Sequence, residues 1–294
     1  MKKILSVVVA VVVIIACAVF LYTKRLTPEE RLQTAFVDLV NAPSGHMQAT
    51  ITTNTDPVAS ASTLSEFKIE TDGNFQKGAV GNLDVDSNVV VTGSMTGASV
   101  VGKGAIRIVD GKLFYKFDEL PEILADISTI RGKWLAGSGV VDLLSDTTRA
   151  NMAVTFKNPQ LFTSIKKIGN EKIGGFNTTH FQTVFSASGY ASFVEEFSKL
   201  SGNAGVNKVD LENSVKALNN VPFNFWIDSR NKLRKVAVAY VNPQNKANVS
   251  IKILLTNYIG KDKIADPALA EQIVMPTAAP VASGVTPVAI PIKK

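Results

Sequence analysis

The chain has 294 residues and a formal charge of +6, from 31 basic and 25 acidic residues. That excess is terminal. Lys2, Lys3, Lys24, Arg25, Lys293 and Lys294 account for it, and a balanced interior excludes the concentrated basic face of a nucleic-acid-binding domain. One cysteine, Cys17, excludes a disulfide framework, and two histidines, His46 and His180, are too few for a His-based metal centre without supporting carboxylates.

The uncharged run from Ile4 to Tyr22 is long enough, at about 1.5 Å rise per residue, to span the ~30 Å hydrocarbon core. Basic residues flank it on both sides. It reads as a single membrane-spanning helix with the rest of the chain exported to the extracytoplasmic side. A second reading stays open. Lys2 and Lys3 suit a basic n-region and residues 4–16 an apolar h-region. Ile14-Ile15-Ala16-Cys17 then resembles a bacterial lipoprotein box, with Cys17 lipidated and becoming the mature N-terminus. The apolar residues after Cys17 favour the helix. Either tether places one domain outside the cell membrane.

We therefore expect residues 1–25 to be an anchor or lipoprotein signal, 26–266 an extracytoplasmic domain, and 267–294 a flexible tail. Pro276, Pro280, Pro287 and Pro291 keep that tail extended. The domain opens with a helix. Thr27 is its N-cap, Pro28 suits the first helical position, and Glu30 completes a capping box. Leu32, Ala35, Phe36, Leu39 and Val40 form its apolar stripe. A meander of strands follows, with Asp110-Gly111 marking a hairpin. Short helices are expected around Ile123–Ile127 and just after the extended piece at Trp134. A further helix is expected from Pro159 to Gly169, then a strand through His180, then helical spacing over 189–202 and 210–220. Three strands close the domain. Phe223, Phe225 and Ile227 alternate on the first, Val236, Val238 and Tyr240 on the second, and Val249, Ile251, Ile253 and Leu255 on the third.

Chemistry-bearing motifs are scarce. There is no nucleophile elbow, phosphate loop, dinucleotide fingerprint or His-Glu-x-x-His. His180 and His46 read as structural or surface residues. Asp84 and Asp86 share a strand face, and Glu195 and Glu196 are adjacent on a helix. Such pairs act in catalysis only where a cleft drives their pKa values apart. No catalytic residue, metal ligand or cofactor is assigned, and the reading is not that of an enzyme.

"FNFWIDSRNKLRKVAVAY" (Phe223 to Tyr240) resembles the strand–turn–strand of bacterial LolA-like proteins, including the mycobacterial LprG–LppX-type lipoproteins. "GKLFYKFDELP", "GKWLAGSG" and "GGFNTTHFQTVFS" resemble further pieces of that group. The resemblance implies an α+β fold: a curved antiparallel half-barrel sheet with helices on its concave face. It also implies a cavity for a lipid or another apolar ligand. The residues expected to line it are Phe114, Trp134, Phe181, Phe225, Ile227, Val236 and Ile251. The competing expectation is a filled core in a structural or signalling ectodomain, since periodicity alone cannot distinguish the two.

Overall fold

A computed structural model gives the fold. It describes residues 26–54, 64–78, 81–95, 98–121, 127–140, 145–192, 220–241, 246–258 and 264–267. The expected anchor, Cys17, most of the Pro-rich tail, Glu195 and Glu196 with the rest of 193–202 in the helix expected over 189–202, and all but the last residue of the helices expected at 123–127 and 210–220 lie outside these residues. Among the described residues, no helix is long and apolar enough to cross a membrane.

Helix α1, Pro28–Val40, forms as its sequence dictates. The Glu30 amide donates to Thr27 Oγ1 at 3.2 Å and the Thr27 amide donates to Glu30 Oε2 at 2.7 Å, a closed capping box. Leu32, Ala35, Phe36 and Val40 are its buried stripe. Five strands follow: β1 Ser44–Asn54, β2 Leu64–Lys77, β3 Leu83–Met95, β4 Ala98–Val109 and β5 Lys112–Glu119. The turn at Asp110 and Gly111 has positive φ at both residues, the geometry that the Asp-Gly signal supplies. Strand β6, Trp134–Val140, leads to helix α2, Asp146–Phe156. Then come β7 Phe162–Ile173, β8 Phe176–Phe185, β9 Phe223–Asp228, β10 Leu233–Val241 and β11 Asn248–Asn257.

All eleven strands join one antiparallel sheet in the order β6-β5-β4-β3-β2-β1-β11-β10-β9-β8-β7. The first and last strands of the order are edges, so the sheet is open. Strand β1 sits at its middle and pairs with the last strand, β11.

One expectation is corrected. The helix expected from Pro159 to Gly169 is largely strand β7. Gly174 and Gly175, at φ +54° and +86°, turn it directly into β8 and commit it to a hairpin. Register shifts between Phe162 and Ser164 and between Lys167 and Gly169 break its alternation. Bulges thereby leave Ile165 and Ile168 at a spacing that imitates a helix. The helical turn expected after Trp134 falls mostly on residues 141–144, outside the described residues, and helix α2 follows it unexpected. Its N-cap is Ser145, whose hydroxyl accepts the Thr148 amide, and it buries Arg149, Met152 and Phe156 at three- and four-residue spacing.

The pairing registers assign the paired strand residues to a face. On one face lie Phe225, Val236, Ile253, Ala49, Thr71, Val89, Gly104 and Phe117, each directly opposite the next across the sheet. The other face carries Gln48, Asp72, Asn88 and their neighbours. Glycines mark where the sheet bends. A Cβ on Gly73 would stand 2.3 Å from the Asp86 carbonyl oxygen, and one on Gly104 would stand 2.2 Å from that of Lys116. Both would point to the apolar face, so the neighbouring strand curls over that face too closely for any side chain. Helix α1 packs on β7, β9 and β10 and against α2.

Candidate functional site

The apolar face divides into two parts. Over β7–β11 it is filled by aromatic packing. Phe36 of α1 stacks on Phe156 of α2 at 4.6 Å and meets the edge of Phe225 at 5.1 Å. Phe162, Phe185 and Phe223 extend the cluster. Leu32, Phe181, Phe225, Ile227 and Leu233 are 2% exposed or less. This is a close-packed core of the ordinary kind.

Over β2–β5 the same face forms a groove of about 400 Å³. Phe67 of β2, Val89 and Val91 of β3, Val100 and Ile106 of β4, and Tyr115 and Phe117 of β5 line it, with Leu120 and Pro121 at one end. Gly102 and Gly104 contribute no side chain to its middle. A Cβ on Gly102 would come within 3.3 Å of Leu120 Cδ2. Ile106 remains 38% exposed. The lining is almost wholly apolar. Lys103 at its margin pairs with Glu119 at 2.7 Å, and Lys116 with Asp118 at 3.3 Å. Such a surface offers no directed polar chemistry. What it can do is take apolar area out of water, at roughly 25 cal/mol per Å².

The residues expected to line a cavity are distributed differently. Phe181, Phe225 and Ile227 belong to the packed core, with Val236 against it, and Phe181 also lines a cavity at the start of α1. Ile251 sits on the apolar face of β11, opposite Ile51 and Val238. Phe114 and Trp134 lie on the other face, since Phe114 pairs with Arg107 and Trp134 with Lys116. Trp134 there carries the Arg107 guanidinium 4.8 Å from its ring centre. The groove uses valines and glycines that a search for bulky residues passes over. The signal that finds them is parity with Phe67 and Phe117.

Polar constellations are engaged within the protein. His180 stacks on Trp226 at 4.2 Å, with Nε2 2.9 Å from Asn224 Oδ1 and Nδ1 3.1 Å from Glu171 Oε1. His46 sits between Asn74 at 3.0 Å and Asp72 at 3.1 Å. The Asp84 carboxylate accepts the Asp110 amide at 2.9 Å, while Asp86 pairs with Arg107 at 2.8 Å. No group of three metal-ligating side chains occurs among the described residues.

Asp228, within the motif that carries the family resemblance, organises the β9–β10 turn. Its Oδ1 accepts the amides of Arg230 and Lys232 at 2.8 and 2.9 Å, and its Oδ2 receives the buried Arg234 at 2.7 Å. Arg234 lies 3.7 Å from the Phe176 ring centre. Tyr258 beside it donates to the Leu233 carbonyl oxygen, and burial pushes its phenol far above the usual range.

A second cavity, about 980 Å³, opens at the start of α1. It is lined by Leu26, Pro28 and Arg31, by the β7–β8 hairpin, and by Ser229 and Asn231. Burial lowers the Arg31 pKa, and the Asp228 carboxylate acts against that shift.

No protein-family model matches the chain, and no curated protein matches it. Solved structures do. LprF from Mycobacterium bovis aligns at 14% identity over 82% of this chain and 96% of its own, with a TM-score of 0.47. The lipoprotein LppX from Mycobacterium tuberculosis aligns at 12% identity over 80% and 97%, with a TM-score of 0.42. An outer membrane lipoprotein-sorting protein domain from Vibrio parahaemolyticus aligns at 9% identity over 81% and 96%, with a TM-score of 0.25. The likeness lies in the fold, and at these values it decides nothing about ligand or activity.

Proposed function

We propose that the protein is a membrane-tethered extracytoplasmic binder that holds a lipid acyl chain, or a comparable apolar group, in a half-barrel groove over β2–β5. The observation that carries this reading is the contrast within one sheet face. Over β7–β11, α1 and α2 fill the apolar face with stacked phenylalanines. Over β2–β5 the same alternation of apolar residues lines a groove of about 400 Å³. That volume falls in the ~300–1,000 Å³ range of small-molecule pockets. Valines and glycines give it smooth walls, which suit a featureless chain rather than a polar substrate. The apolar run at residues 4–22 supports an extracytoplasmic tether, and the paired state of the carboxylates supports a binder rather than a catalyst.

Native mass spectrometry of the full chain extracted from membranes tests the reading. The expected result is a lipid adduct that survives extraction, or uptake of added fatty acid by the bare chain. A chain that carries no lipid and takes none up overturns it.

A further inference from the structure

The cavity at the start of α1 is unlike the groove in its charge. Arg31, Lys167 and Lys172 line it. Neutral acceptors hold the Arg31 guanidinium: Asn231 Oδ1 at 3.3 Å, Thr179 Oγ1 at 3.3 Å and the Asp228 carbonyl oxygen at 3.1 Å. The Asp228 carboxylate is itself committed to Arg234. The acid on the lining, Glu171, pairs with His180 at 3.1 Å. Lys167 and Lys172 form no ion pair among the described residues. Three cations therefore line one cavity whose lining carries a single acid, Glu171.

Exposed apolar side chains accompany these charges: Leu26, on the lining, is 39% exposed, and Ile168, next to Lys167 on β7, is 46% exposed. Basic groups interleaved with exposed apolar ones are the composition of a membrane-interface surface. Position agrees with composition. Leu26 lines the cavity, and four residue steps from Tyr22 span at most about 14 Å.

We infer that this cavity is the surface the domain turns toward the bilayer, and that it receives the phosphate of an anionic phospholipid headgroup. The inference rests on the membrane-embedded reading of residues 4–22 and is independent of what the groove holds. It also orients the domain. The cavity lies at the strand ends that carry the β7–β8 and β9–β10 turns. Leu120 and Pro121 place the groove toward the opposite strand ends, away from the bilayer.

Hydrogen–deuterium exchange on the full chain in nanodiscs tests this. Strand β7 is an edge, so half of its amides lack a ladder partner and report access directly. Each cation near an anionic surface strengthens association by roughly fivefold. Amides over residues 166–176 are therefore expected to exchange about tenfold more slowly in discs containing phosphatidylglycerol than in discs of phosphatidylcholine alone. The K167Q/K172Q variant loses that slowing, and K172Q alone loses part of it, while exchange in β1–β3 stays unchanged. Equal exchange in the two disc types overturns the inference. So does slowing that survives the double variant. Slowing reproduced in phosphatidylcholine discs by inorganic phosphate assigns a free anion and also overturns it. A chain that fails to assemble into discs contradicts the membrane-embedded reading itself, whereas lipid-dependent slowing in a chain that takes up no fatty acid leaves this surface standing and removes the groove.

Discussion

The two parts of the apolar face obey one register and behave differently. Strands β9 and β10 present Phe225 and Val236, and strands β2 and β3 present Ile69 and Val91, in the same alternation. What differs is the partner. Over β7–β10 the α1 stripe of Leu32, Ala35, Phe36 and Val40 completes the packing. Over β2–β5 the wall includes Gly102 and Gly104, and the described residues leave a groove. Strand periodicity thus specifies that a face is apolar. The helix register and the small residues specify whether it becomes a core or a cleft.

This contrast can be broken at its strongest point first. Phe36→Ala removes a ring stacked on Phe156 and edge-on to Phe225, and by the cavity rule costs about 3–5 kcal/mol. Asp228→Ala leaves the buried Arg234 without its partner and costs about the same. Urea unfolding of the purified chain measures both. A loss below about 1 kcal/mol for either would show that the β7–β11 part is not the stabilising core.

Gly104→Val comes next. Its Cβ would sit 2.2 Å from the Lys116 carbonyl oxygen, so β4 and β5 must shift apart, at about 1–3 kcal/mol, with loss of fatty-acid uptake. Val91→Trp acts on the groove alone. The side chain has room to enter the groove, so stability is expected to change by about 1 kcal/mol or less while uptake is abolished. Unchanged uptake in Val91→Trp would separate the groove from ligand binding.

The smallest effect concerns pH. Lys77 and Arg149 hydrogen-bond the Asp146 carboxylate and hold its pKa below the usual value, tying the start of α2 to the end of β2. A depressed native pKa contributes stability that is whole above the ordinary carboxylate value of ~4 and fades as pH falls through the native one. Asp146→Asn is expected to flatten that acid limb of a Tm-against-pH curve and leave its other features in place. An identical acid limb in the variant would remove Asp146 from the account.

Much of this architecture is legible in the residues themselves. The Thr27–Glu30 capping box, the Asp110-Gly111 hairpin and the alternation of β9–β11 each state a local rule that the fold obeys. Strand β7 is not legible, because two bulges erase the period that identifies a strand. Helix α2 is hidden by its polar residues, its buried positions including an arginine, Arg149, whose guanidinium donates to the Gly81 carbonyl oxygen at 2.7 Å. Cavity residues are the least legible. Phe114 and Trp134 are large and apolar, yet parity assigns them to the other face. Val89, Gly102 and Gly104 define the groove through what they leave unfilled, and no residue type announces that.

Photo-crosslinking tests the central claim most directly. The full chain would be loaded with a diazirine-bearing fatty acid, irradiated and mapped by peptide mass spectrometry. The account predicts adducts on the β2–β5 peptides, at Phe67, Val91, Val100, Ile106 or Phe117, and none on the Phe36–Phe225 cluster. Adducts concentrated on α1 and β7–β11, or no adducts on the apolar face at all, would contradict it.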